Sequence, residues 1–144
     1  VPADRIKQAI ESYVPSNNRS QKVTYGSNTI IMDAYNANPS SMAEALRNFE
    51  KQASSNKIVI LGEMMELGDY SRTEHEKIKT QVEQMHLNTR VFTGGGFSFL
   101  QHTPGIYWFA TTAELKEWFK SQHFNEALIL IKGSRKNELE KLLN

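Results

Sequence analysis

Short apolar runs alternate with amphipathic stretches along most of the chain, and this alternation restricts its fold more than any other feature. Residues 57–61, 89–93, 106–109 and 127–131 are strand-sized runs rich in β-branched and aromatic side chains. Before and between them, residues 40–53, 72–87 and 112–120 carry apolar residues at helical spacing, and a last helix is predicted over 135–143. Ser71 with Glu74 and Thr111 with Glu114 stand at capping-box spacing and mark two of the helix starts. Strand followed by helix, repeated, implies a parallel sheet, because a crossover must carry the chain back to the edge it left. The beginning is different. Residues 23–25 and 29–33 flank Gly26, Ser27 and Asn28, which suits a hairpin, so the first sheet contact is expected to be antiparallel. Ahead of the hairpin, Ile6, Ala9, Ile10 and Tyr13 share one face of a helix predicted over 3–13, Pro15 stops it, and residues 16–21 form a loop.

The expected fold is α/β: a three-layer, Rossmann-like domain with a mostly parallel sheet and an antiparallel hairpin strand near the N-terminus. At 144 residues there is chain for one domain with a continuous core. Basic and acidic residues nearly cancel, to a net charge of +1, and neither sign forms a run suited to a nucleic-acid arm or a membrane-binding helix. There is no cysteine, which excludes disulfides and thiolate metal sites and fits a reducing cytoplasm. The apolar runs are too short for a signal peptide or a membrane span. The chain opens on Val1 rather than an initiator methionine, so a processed product or a piece of something larger is expected.

Three loops follow strands and carry the chemistry: residues 33–41, 62–71 and 132–135. In a parallel sheet those strand ends share one edge, so the loops are expected to converge. In the first, Asp33 suits ribose hydroxyls and the amides of Asn36 and Asn38 suit a purine edge; alternatively Asn38 caps a helix begun by Pro39, and Asp33 holds loop amides. The second, GEMMELGDYS, combines Glu63 and Glu66 with Met64, Met65 and Leu67, a set that suits a small zwitterion bearing methyl groups, or else methionines that plug the core. His75 falls on the buried side of the next helix, where a packed, hydrogen-bonded histidine is expected ahead of a catalytic one. In the third loop Lys132 and Arg135 bracket Gly133 and Ser134 at a predicted helix start, a candidate anion site, or else an N-cap serine followed by solvated charges. Arg19 is a further anion candidate. No phosphate-binding P-loop pattern exists, residues 94–96 lack its lysine, and His75, His86, His102 and His123 show no metal-ligand spacing.

DAYNANPSSM at residues 33–42, LGEMMELGDYS with His75, and LIKGSR ending at Arg135 together resemble the C-terminal domain of the Mur ligases, in the family's order and over essentially the whole chain. More narrowly they are similar to the branch that adds D-alanyl-D-alanine. The resemblance implies a cytoplasmic, three-domain enzyme of cell-wall synthesis, of which residues 1–144 form the single C-terminal domain. ATP would phosphorylate the terminal carboxylate of UDP-N-acetylmuramoyl-tripeptide, and the dipeptide amine would displace the phosphate; Mg2+ would be held mainly by a central domain. It further implies nucleotide contacts from Arg19, Asp33, Tyr35 and Asn36, and amino-substrate contacts from Glu63, Met64, Glu66, Ser134 and Arg135, with no catalytic residue, no metal ligand, and neither nucleic acid nor membrane as partner. Two departures stand out: SNNRSQ lacks the glycine often found before the arginine, and Met32 replaces the first of two acidic residues. The competing expectations are a related ligase with another amino substrate and a non-catalytic nucleotide-sensing or interaction domain.

Overall fold

The computed structural model describes residues 21–144; the helix predicted over 3–13, most of the loop after it, and Arg19 lie outside the described residues. Strand β1 (Gln21–Tyr25) pairs antiparallel with β2 (Asn28–Asp33), in register Tyr25 opposite Asn28. The turn is therefore two residues, Gly26 and Ser27, with φ +64 at Gly26, as tight hairpins require. Asn28, expected in the turn, instead begins β2. Its buried amide donates to Tyr25 O at 3.1 Å and Phe124 O at 2.9 Å and accepts from Ala127 N at 3.0 Å, stitching the hairpin to the chain 99 residues on.

From β2 onward the chain runs α1 (Pro39–Glu50), β3 (Lys57–Gly62), α2 (Ser71–Glu83), β4 (Thr89–Thr93), a 3-10 stretch (Gly95–Leu100), β5 (Tyr107–Phe109), α3 (Thr112–Gln122) and β6 (Leu128–Lys132). The six strands lie in the order β1-β2-β6-β3-β4-β5, and every pair after the hairpin is parallel. Side chains alternate across the sheet. Ile31, Val59, Leu61 and Leu130 pack under α1 and α2, while Ile30, Ile58, Ile60, Ile129 and Ile131 pack under α3. The result is three layers with two cores. Right-handed crossovers account for the arrangement: connections running outward from β2 to β5 keep their helices on one face, so the return from β5 to the central β6 puts α3 on the other.

The helices form where their apolar spacing permits; α1 and α2 stop where a cation meets their last carbonyls, and α3 stops at His123, in the left-handed region with φ +52. In α1, Met42, Leu46 and Phe49 are buried on one stripe, each contributing about 1.5–3 kcal/mol by removal from water. Lys57 Nζ closes its C-terminus, donating to the carbonyls of Phe49 (2.8 Å), Gln52 (2.7 Å) and Glu50 (3.3 Å). Arg90 does the same for α2 through Val82 O and Met85 O, so α2 ends at Glu83 rather than at 87. Thr111 caps α3 by accepting from Glu114 N at 3.2 Å. Ser71, however, caps nothing: Tyr70 occupies the cap position, and Ser71 is the first residue of α2.

The final helix is a correction. Residues 135–143 form two 3-10 segments, Arg135–Asn137 and Leu139–Leu143, broken at Glu138 with φ +51. An α-helix there would need Asn137 O for Lys141 N, but Thr112 Oγ1 donates to that carbonyl at 2.6 Å and Lys141 N bonds Glu138 O instead. Leu139 and Leu142 are fully buried in the core beneath α3 and anchor the segment.

Candidate functional site

The carboxyl ends of β2, β6 and β3 are level, with Asp33 opposite Lys132 and Lys132 opposite Leu61. After β2 and β3 the chain turns onto the face of α1 and α2; after β6 it turns onto the face of α3. Loops that part in this way leave a crevice at the edge, the topological switch point where α/β sheets bind ligands. An open cavity of about 900 Å³ lies there, and all three loops reach it: Tyr35, Asn36 and Asn38 from the first, Met65, Glu66 and Leu67 from the second, Ser134, Arg135 and Lys136 from the third.

In the first loop, Asp33 and Lys132 are both buried and joined by an ion pair, Lys132 Nζ to Asp33 Oδ2 at 2.8 Å. The same ammonium donates to Asn36 O at 3.1 Å, tying the loop back to β6. Lys132 is thus not a solvent-facing cation of an anion site, as expected, but an internal tie. Asn38 is the helix cap: its Oδ1 accepts from Ser41 N at 2.8 Å, and Ser41 Oγ accepts from Asn38 N at 3.1 Å. Pro39 occupies the first helical position, where a missing N–H costs nothing. On the α1 side a smaller cavity of about 280 Å³ is bordered by Asp33, Asn36, Ser41, Glu44, Asn48 and Lys132. Asn36 therefore lies on the wall between the two cavities.

The second loop is divided. Glu63 Oε1 accepts from Gly96 N at 2.8 Å, so this carboxylate fastens the loop to the 3-10 stretch behind it and does not line the large cavity. Gly94, at φ +103, comes so close that a Cβ there would sit 2.7 Å from the Glu63 carboxyl carbon. Met64 is buried in the α1–α2 core. Of the expected contacts Glu63, Met64 and Glu66, only Glu66 reaches the cavity, with φ +62, and its neighbours Met65 and Leu67 supply the apolar wall. His75 is buried and hydrogen-bonded, as its spacing indicated.

In the third loop, Ser134 begins only a three-residue 3-10 turn, and its hydroxyl lies 3.1 Å from Asn137 Oδ1. There is no α-helix N-terminus to draw an anion. The exposed Arg135 guanidinium instead stacks 4.8 Å from the Tyr35 ring centroid, bridging the first and third loops. Lys136 and Glu138, which sequence reasoning missed, also line the cavity; nothing in their local pattern separates them from solvated charges. Among the described residues no helix is long and apolar enough to cross a membrane, and no group of three His, Asp or Glu is placed to hold a metal ion.

A doubly faced, mostly parallel sheet whose switch-point cavity is lined by amides, both signs of charge and an apolar wall defines an α/β domain of the doubly wound class. Residues 18–135 match the family model described as "Mur ligase, glutamate ligase domain", and the chain belongs to that family. It is 30% identical over 151 aligned positions to the UDP-N-acetylmuramoyl-tripeptide--D-alanyl-D-alanine ligase of Treponema pallidum, covering 99% of this chain and 32% of the relative. A crystal structure of MurF from Acinetobacter baumannii superposes with a TM-score of 0.75 at 27% identity, covering 88% of this chain and 29% of that one. MurF from Thermotoga maritima in complex with ADP shares the fold, with a TM-score of 0.72 at 18% identity over 92% of this chain and 30% of that one. The chain thus spans about a third of the length of these relatives.

Proposed function

We propose that residues 1–144 are the C-terminal domain of a cytoplasmic, ATP-dependent ligase that joins D-alanyl-D-alanine to UDP-N-acetylmuramoyl-tripeptide in peptidoglycan precursor synthesis. The observation that carries this is the meeting of the three family motifs around one cavity of about 900 Å³. ATP supplies the phosphoryl group that turns the tripeptide carboxylate into an electrophile, by making one of its oxygens a leaving group. Attack by the dipeptide amine then forms the amide and releases phosphate. No catalytic residue of that sequence is assigned to this chain.

Its residues bind, orient and exclude water. The small cavity suits a nucleoside, since Asp33, Ser41 and the amides of Asn36 and Asn48 offer the acceptors and donors that ribose hydroxyls and a purine edge need. Tyr35 and Arg135 form a stacked pair on the wall of the large cavity, next to Asn36, which borders both cavities, and Arg19 is proposed to reach the phosphates. The large cavity suits a zwitterion with methyl groups: Glu66 for the ammonium, Ser134, Arg135 and Lys136 for the carboxylate, and Met65 and Leu67 for the methyls. Glu63 and Met64 act from behind that wall. Closure of this surface over a reaction centre on other domains, which would also hold Mg2+, lowers the barrier by positioning and desolvation.

The test is an amide-shift NMR titration of the chain with Mg-ATP and, separately, D-alanyl-D-alanine. Shifts confined to residues 33–38 with nucleotide and to 65–67 and 134–136 with dipeptide are expected. Nucleotide binding with no response to dipeptide, in this chain and in the full-length enzyme alike, would favour a nucleotide-sensing domain. Ligase turnover by the chain alone would sink the closing role.

A further inference from the structure

His75 is a fully buried titratable group that the proposed chemistry does not use. Its two ring nitrogens do different things. Nε2 lies 3.0 Å from Met64 N, whose N–H can only donate, so Nε2 must be the acceptor. Nδ1 lies 2.7 Å from Ser71 O, which can only accept, so Nδ1 carries the proton. Its surroundings thereby fix the imidazole in one tautomer, with the Ser71 hydroxyl also 3.3 Å from Nδ1. Packing fixes the ring plane as well: Phe97 meets it edge-on at 4.6 Å between centroids and 84°, and a Cβ on Gly96 would run into the ring. Gly96 is also the residue whose N–H holds Glu63. One side chain therefore grips both ends of the second loop, at Met64 and at Ser71, and braces the peptide that anchors Glu63.

We propose that His75 is a positioning residue for the amino substrate: by holding Met64 N–H and Ser71 C=O it sets where Met65, Glu66 and Leu67 stand in the large cavity. The inference rests on the assignment of that cavity to D-alanyl-D-alanine. Met64 and Leu67 are three residues apart, so displacement of the Met64 peptide carries the cavity wall with it. Residues 33–38, tied to β6 through Lys132, do not depend on this grip. The consequence is selective: loss of the imidazole weakens the amino substrate and spares the nucleotide.

Three measurements on the intact chain test it. Nitrogen-15 spectra of the imidazole at neutral pH should show protonated Nδ1 and bare Nε2; the opposite tautomer would overturn the proposal with no variant needed. His75→Phe keeps the ring against Phe97 but offers Met64 no acceptor, whereas His75→Gln can place an oxygen near the position of Nε2. In His75→Phe the amides of residues 64–67 should shift and exchange faster, with dipeptide affinity down about tenfold, the equivalent of about 1.4 kcal/mol, and nucleotide affinity unchanged. His75→Gln should restore most of that affinity. Unchanged amides in His75→Phe, equal loss of both ligands, or a glutamine variant no better than phenylalanine would each overturn the proposal. If His75→Phe does not fold, the tautomer and the glutamine variant decide. Dipeptide silence of the wild-type protein, in this chain and in the full-length enzyme alike, would count against the assigned function alone, and the tautomer and amide readouts would still decide the role of His75.

Discussion

The two edges of the sheet use similar polar residues for opposite ends. At the amino edge, Lys57, Arg90 and Asn28 are spent on backbone: Lys57 and Arg90 close the C-termini of α1 and α2, and Asn28 pins the hairpin to Phe124 and Ala127. At the carboxyl edge, Asn36, Glu66, Arg135 and Lys136 surround a cavity, and Asp33 with Lys132 forms a buried pair between them and the core. Helix ends explain the division. The amino edge receives helix C-termini, whose surplus carbonyls and partial negative charge attract cations from the next strand. The carboxyl edge receives loops that part to opposite faces, so its polar groups find space before they find backbone.

Lys132 is the sharpest test of that division, because it sits at the carboxyl edge yet is bonded like an amino-edge residue. Lys132→Met should cost about 3–5 kcal/mol in urea unfolding, since it takes a buried ammonium from Asp33 and from Asn36 O. Adding Asp33→Asn should recover part of that stability without recovering nucleotide affinity; full recovery of both would make the pair purely architectural. Lys57→Met comes next, at about 2–4 kcal/mol, because three carbonyls lose a buried charged donor. Its ligand affinities should not move, and a selective change in either would break the contrast between edges. Asn38→Ala should cost about 1 kcal/mol as the loss of an N-cap, measured by the same unfolding curves. Arg135→Ala closes the series with less than about 0.5 kcal/mol, being exposed, but with roughly tenfold weaker dipeptide binding by calorimetry. A large stability loss there would show that its stacking on Tyr35 holds the two loops together.

Much of this was legible in the chain itself. Residues 57–61 and 89–93 became β3 and β4 within a residue, and the hairpin came out antiparallel, because period-two and period-3.6 patterns report on burial directly. The loop side chains were harder. Met64 and Met65 are indistinguishable by composition, yet one is in the core and the other on the cavity wall, a choice made by the hydrogen bond from Met64 N to His75. Glu63 and Glu66 divide the same way through Gly96.

What the sequence by itself determined is local: the alternation of strands and helices, the Asn38–Pro39 start of α1, the burial of His75 at helical spacing, and the three motifs that mark the family. Each follows from interactions a few residues apart, which a linear pattern records. The tertiary structure decided that β6 lies between β2 and β3, that Lys132 answers Asp33 across 99 positions, and that Thr112 takes the carbonyl an α-helix over 135–143 would need. Those outcomes depend on which groups meet across the sheet, and a residue's own neighbours in the chain carry no record of that meeting.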